Sequence, residues 1–208
     1  MLTKGYPINA SLSLVGNHWR LNKRQRASLS RASAPNQRIE NISNNEIQQE
    51  GLPGKTILLD GFNILILLES ALSGAFIFEC ADGTYRDLSG VHGSYKRVKK
   101  TNTALILIGE ELQKLNPSKV VWILDAPVSN SGRLKVVMAE ISEEHQFNWD
   151  IILDNNPDGY IVEKGEIAIS SDNWIIERSN WFNLGRRIID TKIPDAEIFQ
   201  FKKHGEDN

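Results

Sequence analysis

The chain has 208 residues, of which 40% are hydrophobic, and a formal net charge of −2. This length fits one domain of ordinary size with an appendage, and the apolar content excludes an intrinsically disordered chain. Its one cysteine, Cys80, excludes an intramolecular disulfide framework, so we expect a cytoplasmic protein in which Cys80 is a buried structural thiol. Apolar runs such as residues 64–68 are too short to span a bilayer, and we expect no secretion signal and no membrane partner.

Charge is distributed unevenly along the chain. Residues 1–50 carry seven basic and three acidic side chains, a net charge of +4, which leaves −6 for the remainder. A basic arm on an acidic body fits a protein that meets a polyanion at one end and holds cations at the other. Solvated surface charge explains the same composition equally well.

Residues 1–34 predict a short, basic, helical N-terminal domain. Residues 8–15 place four apolar side chains within two turns, with Gly16 as the expected stop. Asn22 is expected to cap a second helix, and the pair resembles a helix-turn-helix in size. The two helices could bind nucleic acid, or they could simply pack within the protein, and the sequence favours neither. The candidate nucleic-acid contacts are Arg20, Lys23, Arg24 and Arg26. Two helices bury too little surface to be stable alone, so we expect them to dock on the body or on a partner.

Residues 35–54 are predicted to be a linker, because polar residues and helix breakers dominate and there is little to bury. Residues 55–208 then alternate between strand and helix patterns, which predicts an α/β domain with a mainly parallel sheet covered on both faces. The strands are expected at 56–59, 119–124, 149–153 and 166–169, and the helices at 63–72, 101–115, 132–145 and 181–189. Residues 75–80 and 84–88 predict a β-hairpin around Asp82-Gly83.

Aspartates follow the predicted strands at their carboxyl ends. Asp60, Asp125, Asp154 and Asp172 each come after an apolar strand, and Asp158 lies just beyond one. Asp154 is nevertheless interpreted as a loop residue, because residues 155–157 are expected to continue a turn. Ligands of open α/β sheets bind beyond these strand ends, where the carboxylates would crowd and repel one another. A divalent cation with oxygen ligands would remove that cost. Each aspartate could instead be a helix cap, but three such positions together favour a metal site.

A family resemblance rests on the same segments. The PIN and NYN-type nucleases have a first strand and an Asp-x-x-Asn turn that resemble residues 57–63 (ILLDGFN). Residues 167–172 (IAISSD) are similar to the strand end that supplies another metal-binding aspartate there, and residues 158–161 (DGYI) to the aspartate placed just before it. Nearly the whole chain looks like an uncharacterised prokaryotic group that joins a short basic helical domain to a PIN-like domain. The segments that carry this wider match are residues 5–7, 14–17, 25–26, 69–74, 86–90 and 124–127.

This resemblance implies a three-layer α/β/α domain and an endoribonuclease that depends on Mg²⁺ or Mn²⁺. The implied catalytic residues are Asp60, Asp125, Asp158 and Asp172, with Asp60, Asp125 and Asp172 as metal ligands and Asn63, Ser171 and Ser129 in support. PIN nucleases usually have a further acidic residue on a helix. No position here matches it cleanly, and Glu69 is the reserve candidate. The implied partner is RNA, with DNA not excluded, and a homodimer stays open because PIN-like proteins often dimerise. The alternative is a PIN-like module that binds RNA or a protein without cutting it.

Two further basic clusters are candidate contacts for a phosphate backbone. Ser129 and Arg133 lie where a loop enters the helix predicted at 132–145, and a helix start offers free N–H groups to a phosphate, although a plain capped helix start fits as well. The hairpin exit is also basic, with a solvated loop as the alternative, and its side chains are Arg86, His92, Lys96, Arg97, Lys99 and Lys100.

Overall fold

A computed structural model describes residues 1–89, 95–96 and 99–201. His92 and Arg97 of the basic hairpin exit, and Gly90 of the family segments, lie outside these described residues. The N-terminal region contains α1 (Ile8–His18), α2 (Lys23–Ala32) and α3 (Asn36–Asn45). The rest of the chain forms β1 (Thr56–Asp60), α4 (Gly61–Leu72), β2 (Ile77–Glu79), β3 (Tyr85–Arg86), α5 (Thr101–Leu115), β4 (Lys119–Asp125), α6 (Ser131–Glu144), β5 (Trp149–Asp154), α7 (Pro157–Lys164), β6 (Ile167–Ile169), α8 (Asn173–Ile176), α9 (Leu184–Lys192) and β7 (Ile198–Gln200).

The central sheet is parallel, with the strand order β5-β4-β1-β6, so the α/β class with a parallel sheet is confirmed. Alternate residues of each strand face opposite layers of helices, as the period of two requires. Ile57 and Leu59 pack with α4, α5, α6 and α9 on one face. Leu58 packs with α3, α7, α8 and Trp181 on the other face. The sheet is therefore the middle of three layers.

A second, smaller sheet has the order β3-β2-β7. The predicted hairpin is confirmed, because β2 and β3 pair antiparallel and Gly83 turns between them with a φ of 82°. β7 pairs parallel with β2 and was not predicted, since a three-residue strand leaves little periodicity to detect. Among the described residues, no helix is both long and apolar enough to cross a membrane.

The predicted stop of the first helix is wrong. α1 continues through Gly16 to His18, because Gly16 is where the Arg26 guanidinium packs against the helix: a β-carbon there would lie 2.3 Å from Arg26 Nη1. The cap of the second helix is confirmed. The Asn22 side chain accepts the Gln25 N–H, and the Gln25 side chain accepts the Asn22 N–H in return.

Residues 35–54 do not form a linker. They contain α3, whose Ile42 is fully buried against the second face of the sheet, and they end in Leu52, which is fully buried in the core of the first face. The Trp181 indole donates a hydrogen bond to the Ile42 carbonyl, and Asn45 Nδ2 donates to the Glu177 carbonyl. The polar composition misled the prediction because α3 needs only a narrow apolar stripe to dock. The N-terminal region is thus joined to the body, as its small size required.

Candidate functional site

The strand order brings four carboxyl ends to one edge of the central sheet. From β1 the chain crosses to β4 and β5 on one side, and it returns to β6 on the other side. β1 therefore ends at a topological switch point, which is where open α/β sheets form a crevice. We call the five aspartates at this place the acidic edge, namely Asp60, Asp125, Asp154, Asp158 and Asp172.

Asp60 is the centre of the acidic edge. It ends β1 and occupies the N-cap position of α4. Its Oδ2 accepts a hydrogen bond from Ser170 Oγ at 2.8 Å, so the side chain also contacts the loop after β6. Burial raises the pKa of the Asp60 carboxyl to about 7; the Ser170 hydrogen bond opposes this shift, and the charges of Asp158 and Asp172 add to it.

Ser170 connects Asp60 to Asp172. While its hydroxyl donates to Asp60, its oxygen accepts the backbone N–H of Asp172 at 2.9 Å. Asp172 also caps α8, since its Oδ1 accepts the Trp174 N–H at 2.8 Å. Asp172 is therefore a helix cap, as the alternative interpretation has it, and its carboxylate still belongs to the acidic edge. Ser170 was missed as a candidate although it stands inside the family segment 167–172, because its hydrogen bonds depend on the fold.

Asn63 and Ser171 form a second link across the same crevice. Asn63 Oδ1 accepts both the backbone N–H and the hydroxyl of Ser171, each at 2.9 Å. This fixes the first turn of α4 to the loop after β6, and so it fixes the spacing between Asp60 and Asp172. Two of the three predicted supporting residues, Asn63 and Ser171, thus lie next to the elements that carry Asp60 and Asp172.

Asp125, Asp154 and Asp158 complete the acidic edge. Asp125 and Asp154 are paired in register at the ends of β4 and β5, so Asp154 belongs to a strand end and not to a loop as predicted. Burial raises the pKa of Asp125, and the charge of Asp154 raises it further. Burial likewise raises the pKa of Asp158, and Asp172 and Asp125 add to that shift. The raised pKa values of Asp60, Asp125 and Asp158 thus each include the charge of at least one other aspartate of the acidic edge.

The acidic edge presents oxygen donors, which suit a hard cation. Within the described residues, however, no group of three or more His, Cys, Asp or Glu side chains is close enough to hold a metal ion directly. Mg²⁺ dehydrates reluctantly and is usually bound by one or two carboxylates with several waters. The donor set therefore fits a hydrated Mg²⁺ or Mn²⁺ ion, and it does not fit a dehydrated ion enclosed by protein ligands.

Glu69 does not supply a helix-borne acid to the acidic edge. It is buried in α4, and its Oε1 accepts hydrogen bonds from the hydroxyls of Tyr95 and Thr101, each at 2.5 Å. Burial raises the pKa of Glu69, and these two hydrogen bonds oppose the shift. Its role in the structure is to hold the Tyr95 and Thr101 hydroxyls against α4.

Two of the predicted nucleic-acid contacts, Arg86 and Arg26, make their hydrogen bonds to other groups of the protein. Arg86 is buried and donates to the Ser171 carbonyl, the Arg31 carbonyl, Asn173 Oδ1 and Asp82 Oδ2. Arg26 donates to the Leu21 and Leu12 carbonyls and to Asn17 Oδ1. Both guanidiniums hold backbone segments together, which corrects the expectation that they face a phosphate.

The other predicted contacts lie at the surface. Arg20, Lys23 and Arg24 are exposed around the turn between α1 and α2. Ser129 and Arg133 are exposed at the start of α6, where the Ser129 carbonyl accepts the Tyr95 N–H. Asn130 precedes α6 with a φ of 72° and makes no side-chain cap, so the free N–H groups of this helix start are not covered by a capping side chain.

Comparison with known proteins places the chain in a family. The model described as "Protein of unknown function (DUF434)" matches residues 1–44, and "Uncharacterized protein MJ0935" of Methanocaldococcus jannaschii is 32% identical over 180 residues, 86% of each chain. No solved structure matches the chain. The model described as "Domain of unknown function (DUF5616)" matches residues 49–187, which include β1 and the whole acidic edge. The chain therefore belongs to the DUF5616 family.

Proposed function

We propose that this protein is a metal-dependent ribonuclease that hydrolyses RNA phosphodiester bonds at the acidic edge. One observation carries the proposal: Asp60 and Asp172 follow two different strands, yet the Ser170 hydroxyl contacts both residues, donating to the Asp60 carboxyl and accepting the Asp172 N–H. The charges of Asp158 and Asp172 also raise the pKa of Asp60. Such crowding is costly for bare carboxylates, and a divalent cation offsets the cost. The likeness of residues 57–63 and 167–172 to PIN-type nucleases supports the same conclusion.

Asp60 and Asp172 would hold a Mg²⁺ or Mn²⁺ ion, with Asp125 and Asp158 interacting through water. When bound, such an ion supplies a water of lowered pKa and stabilises the charge that develops on a phosphate. The protein orients the carboxyls for this task. Ser170 holds one oxygen of Asp60, and Asn63 holds the loop that carries Asp172. Arg133 and the start of α6 would position a phosphate beside the acidic edge.

We also propose a reducing, cytoplasmic setting and RNA as the partner. The first is supported by Cys80, which is buried and free, as the sequence predicted. The second is supported by the exposed cations Arg20, Lys23, Arg24 and Arg133, which can neutralise a phosphate backbone. Exchanging the RNA oligonucleotide for DNA tests whether DNA is also a partner. Measuring the mass of the protein in solution tests whether it forms a homodimer.

The test is cleavage of a fluorescent RNA oligonucleotide in Mn²⁺ or Mg²⁺, compared with EDTA. Asp60→Asn should abolish cleavage while RNA affinity changes little. Asp150→Asn is the matched control, because Asp150 lies on β5 at the opposite edge of the sheet, in an exposed ion pair with Lys119. The proposal fails if Asp60→Asn cleaves as fast as the unaltered protein, or if cleavage persists in EDTA.

A second candidate is a PIN-like module that binds RNA or a protein without cutting it. Two observations favour it: within the described part of the chain no ready cluster of three ligands exists, and Glu69 is engaged elsewhere. This module should bind RNA equally well with Mn²⁺ and with EDTA, and it should release no product after long incubation. Product that depends on both Mn²⁺ and Asp60 would exclude it.

A further inference from the structure

The turn between α1 and α2 presents an exposed aromatic ring. Trp19 follows α1 directly and is 69% exposed, more than any other large hydrophobic side chain of the described residues. Among the described residues, its one aromatic ring contact is with His18. The His18 ring meets the indole edge-on, at a centroid distance of 4.9 Å and an interplanar angle of 86°. Most of the indole is therefore accessible to a flat partner that could stack on it.

Three cations follow Trp19 within five residues of the sequence. Arg20, Lys23 and Arg24 are exposed, and none of them forms an ion pair with an acidic side chain in the part of the chain that the structure describes. The first acidic residue of the sequence is Glu40. By contrast, the Arg26 guanidinium donates hydrogen bonds to the Leu21 and Leu12 carbonyls. Among residues 1–89, 95–96 and 99–201, the positive charge of this turn is thus not paired with an acidic side chain.

The local backbone gives no folding reason for two of these cations. The Arg20 N–H donates to the Asn17 carbonyl and the Leu21 N–H to the Gly16 carbonyl, which is the Schellman arrangement that ends a helix. Arg20 occupies its left-handed position, with a φ of 51°, where glycine is favoured. Lys23 lies in the first turn of α2, which holds no acidic residue, although the helix dipole favours negative charge there.

We propose that this turn is a binding site for single-stranded nucleic acid, in which an unpaired base stacks on Trp19 and the flanking phosphates contact Arg20, Lys23 and Arg24. Stacking platforms set among cations are the usual solution for single strands, because a base exposes its face only when it is unpaired. A membrane surface is disfavoured, since α2 is strongly polar and offers no continuous apolar face. This inference rests on the proposed RNA partner but not on catalysis at the acidic edge. Loss of binding at the turn can therefore be distinguished from loss of cleavage.

The experiment measures binding of a short fluorescein-labelled oligouridylate by anisotropy, in EDTA, over a series of salt concentrations. Trp19→Ala should weaken binding roughly 5- to 150-fold, the loss expected for one base–aromatic stack, while the dependence on salt keeps its slope. Trp19→Phe should restore much of the affinity. Phe76→Ala is the matched control, because Phe76 is 62% exposed and lies before β2 on the small sheet; it should bind as the unaltered protein does.

Arg20→Gly separates binding from folding. Glycine suits the left-handed position better than arginine does, so the thermal midpoint should stay the same or rise. The loss of one phosphate contact should nevertheless reduce the slope of log K against log salt by about 0.7, the value for single strands. A variant that is equally stable and yet binds with a shallower slope cannot be explained by unfolding.

Three outcomes would overturn the proposal. The first is unchanged affinity of Trp19→Ala for the oligouridylate. The second is tighter binding to a duplex of the same length than to the single strand. The third is binding to vesicles of phosphatidylglycerol and phosphatidylcholine that depends on Trp19 while the oligouridylate does not bind, which would assign the turn to a membrane surface.

Discussion

Gly61 and Leu124 approach so closely that a β-carbon on Gly61 would lie 2.6 Å from Leu124 Cδ2. The same atom would lie 2.9 Å from the Ile123 carbonyl, which is backbone and cannot rotate away. Gly61 directly follows Asp60, so this contact sets how near the start of α4 comes to β4. The position of the central carboxyl therefore depends on the absence of a side chain at the next residue.

Gly61→Ala should push α4 away from β4 and move Asp60 from the Ser170 hydroxyl. We expect a loss of about 1–3 kcal/mol in the free energy of unfolding, as overpacking usually causes. Mn²⁺-dependent cleavage should fall by more than the loss of folded protein explains. The measurement is urea denaturation together with the cleavage assay. Gly132→Ala is the control, since a β-carbon there meets nothing within 4 Å and helix propensity favours alanine by roughly 0.5–1 kcal/mol.

The raised pKa of Asp60 predicts a pH-dependent effect of Asp60→Asn. The native carboxyl holds its proton up to about pH 7, whereas the unfolded carboxyl releases it near its ordinary pKa of 3.8. Asp60 therefore contributes stability that is fully present below about pH 3.8 and is lost as the pH rises to about 7. Asparagine has no such dependence, so the gain in Tm of the variant over the unaltered protein should be larger at about pH 8 than at about pH 5, where only part of that stability has been lost.

Thermal unfolding at the two pH values checks this expectation, with Asp150→Asn as the comparison at the opposite sheet edge. Added Mn²⁺ should raise the Tm of the unaltered protein at the higher pH, because a ligand that binds only the native state stabilises it. The same addition should not raise the Tm of Asp60→Asn. Equal pH profiles for Asp60→Asn and the unaltered protein would contradict the assignment of the raised pKa to Asp60.

The central sheet could be predicted from the sequence because its strands are short, apolar and bounded by turn residues. α5 was predicted with its observed bounds, and β1 and β4 each within one residue, since the hydrophobic period decides both the element and its ends. α7 was missed because Asn156 and Pro157 were interpreted as a turn. They are instead the cap and the first residue of a helix, with Asn156 Oδ1 accepting the Gly159 N–H.

The acidic edge was predicted in part. Strand-end aspartates are visible in a sequence, and the edge they share follows from parallel strands, so Asp60, Asp125, Asp158 and Asp172 were named. Asp154 joins them through the register between β4 and β5, which no local pattern fixes. Arg86 could not be predicted as buried, because its partners come from three separate places in the sequence: the turn between β2 and β3, α2 and the loop after β6.

The burial of Ile42 predicts that α3 is essential to the fold. Ile42→Ala removes a fully buried side chain from the core of the second sheet face, which should cost about 2–5 kcal/mol. Asn44→Ala, on the exposed side of the same helix, should change stability by less than about 0.5 kcal/mol. Urea denaturation of the two variants distinguishes a docked helix from a linker, because a linker would tolerate both substitutions equally.

The buried ion pair between Arg86 and Asp82 predicts a strong coupling in stability. Arg86 Nη2 lies 2.8 Å from Asp82 Oδ2, and both side chains are almost wholly buried. Arg86→Met leaves the Asp82 carboxylate without its cation, which should cost about 3–5 kcal/mol. Adding Asp82→Asn removes the uncompensated charge, so the double variant should lose less than the sum of the two single losses.

Urea denaturation of the four proteins in this cycle measures the coupling, which should reach at least about 1 kcal/mol.

Oligonucleotide binding then tests the corrected role of Arg86. Because its guanidinium faces the Ser171 and Arg31 carbonyls and not solvent, Arg86→Met should leave the salt slope of RNA binding by the folded protein unchanged. Arg24→Glu, at the exposed turn, should make that slope shallower. A shallower slope for Arg86→Met would mean that Arg86 contacts phosphate after all, and that the buried network opens when RNA binds.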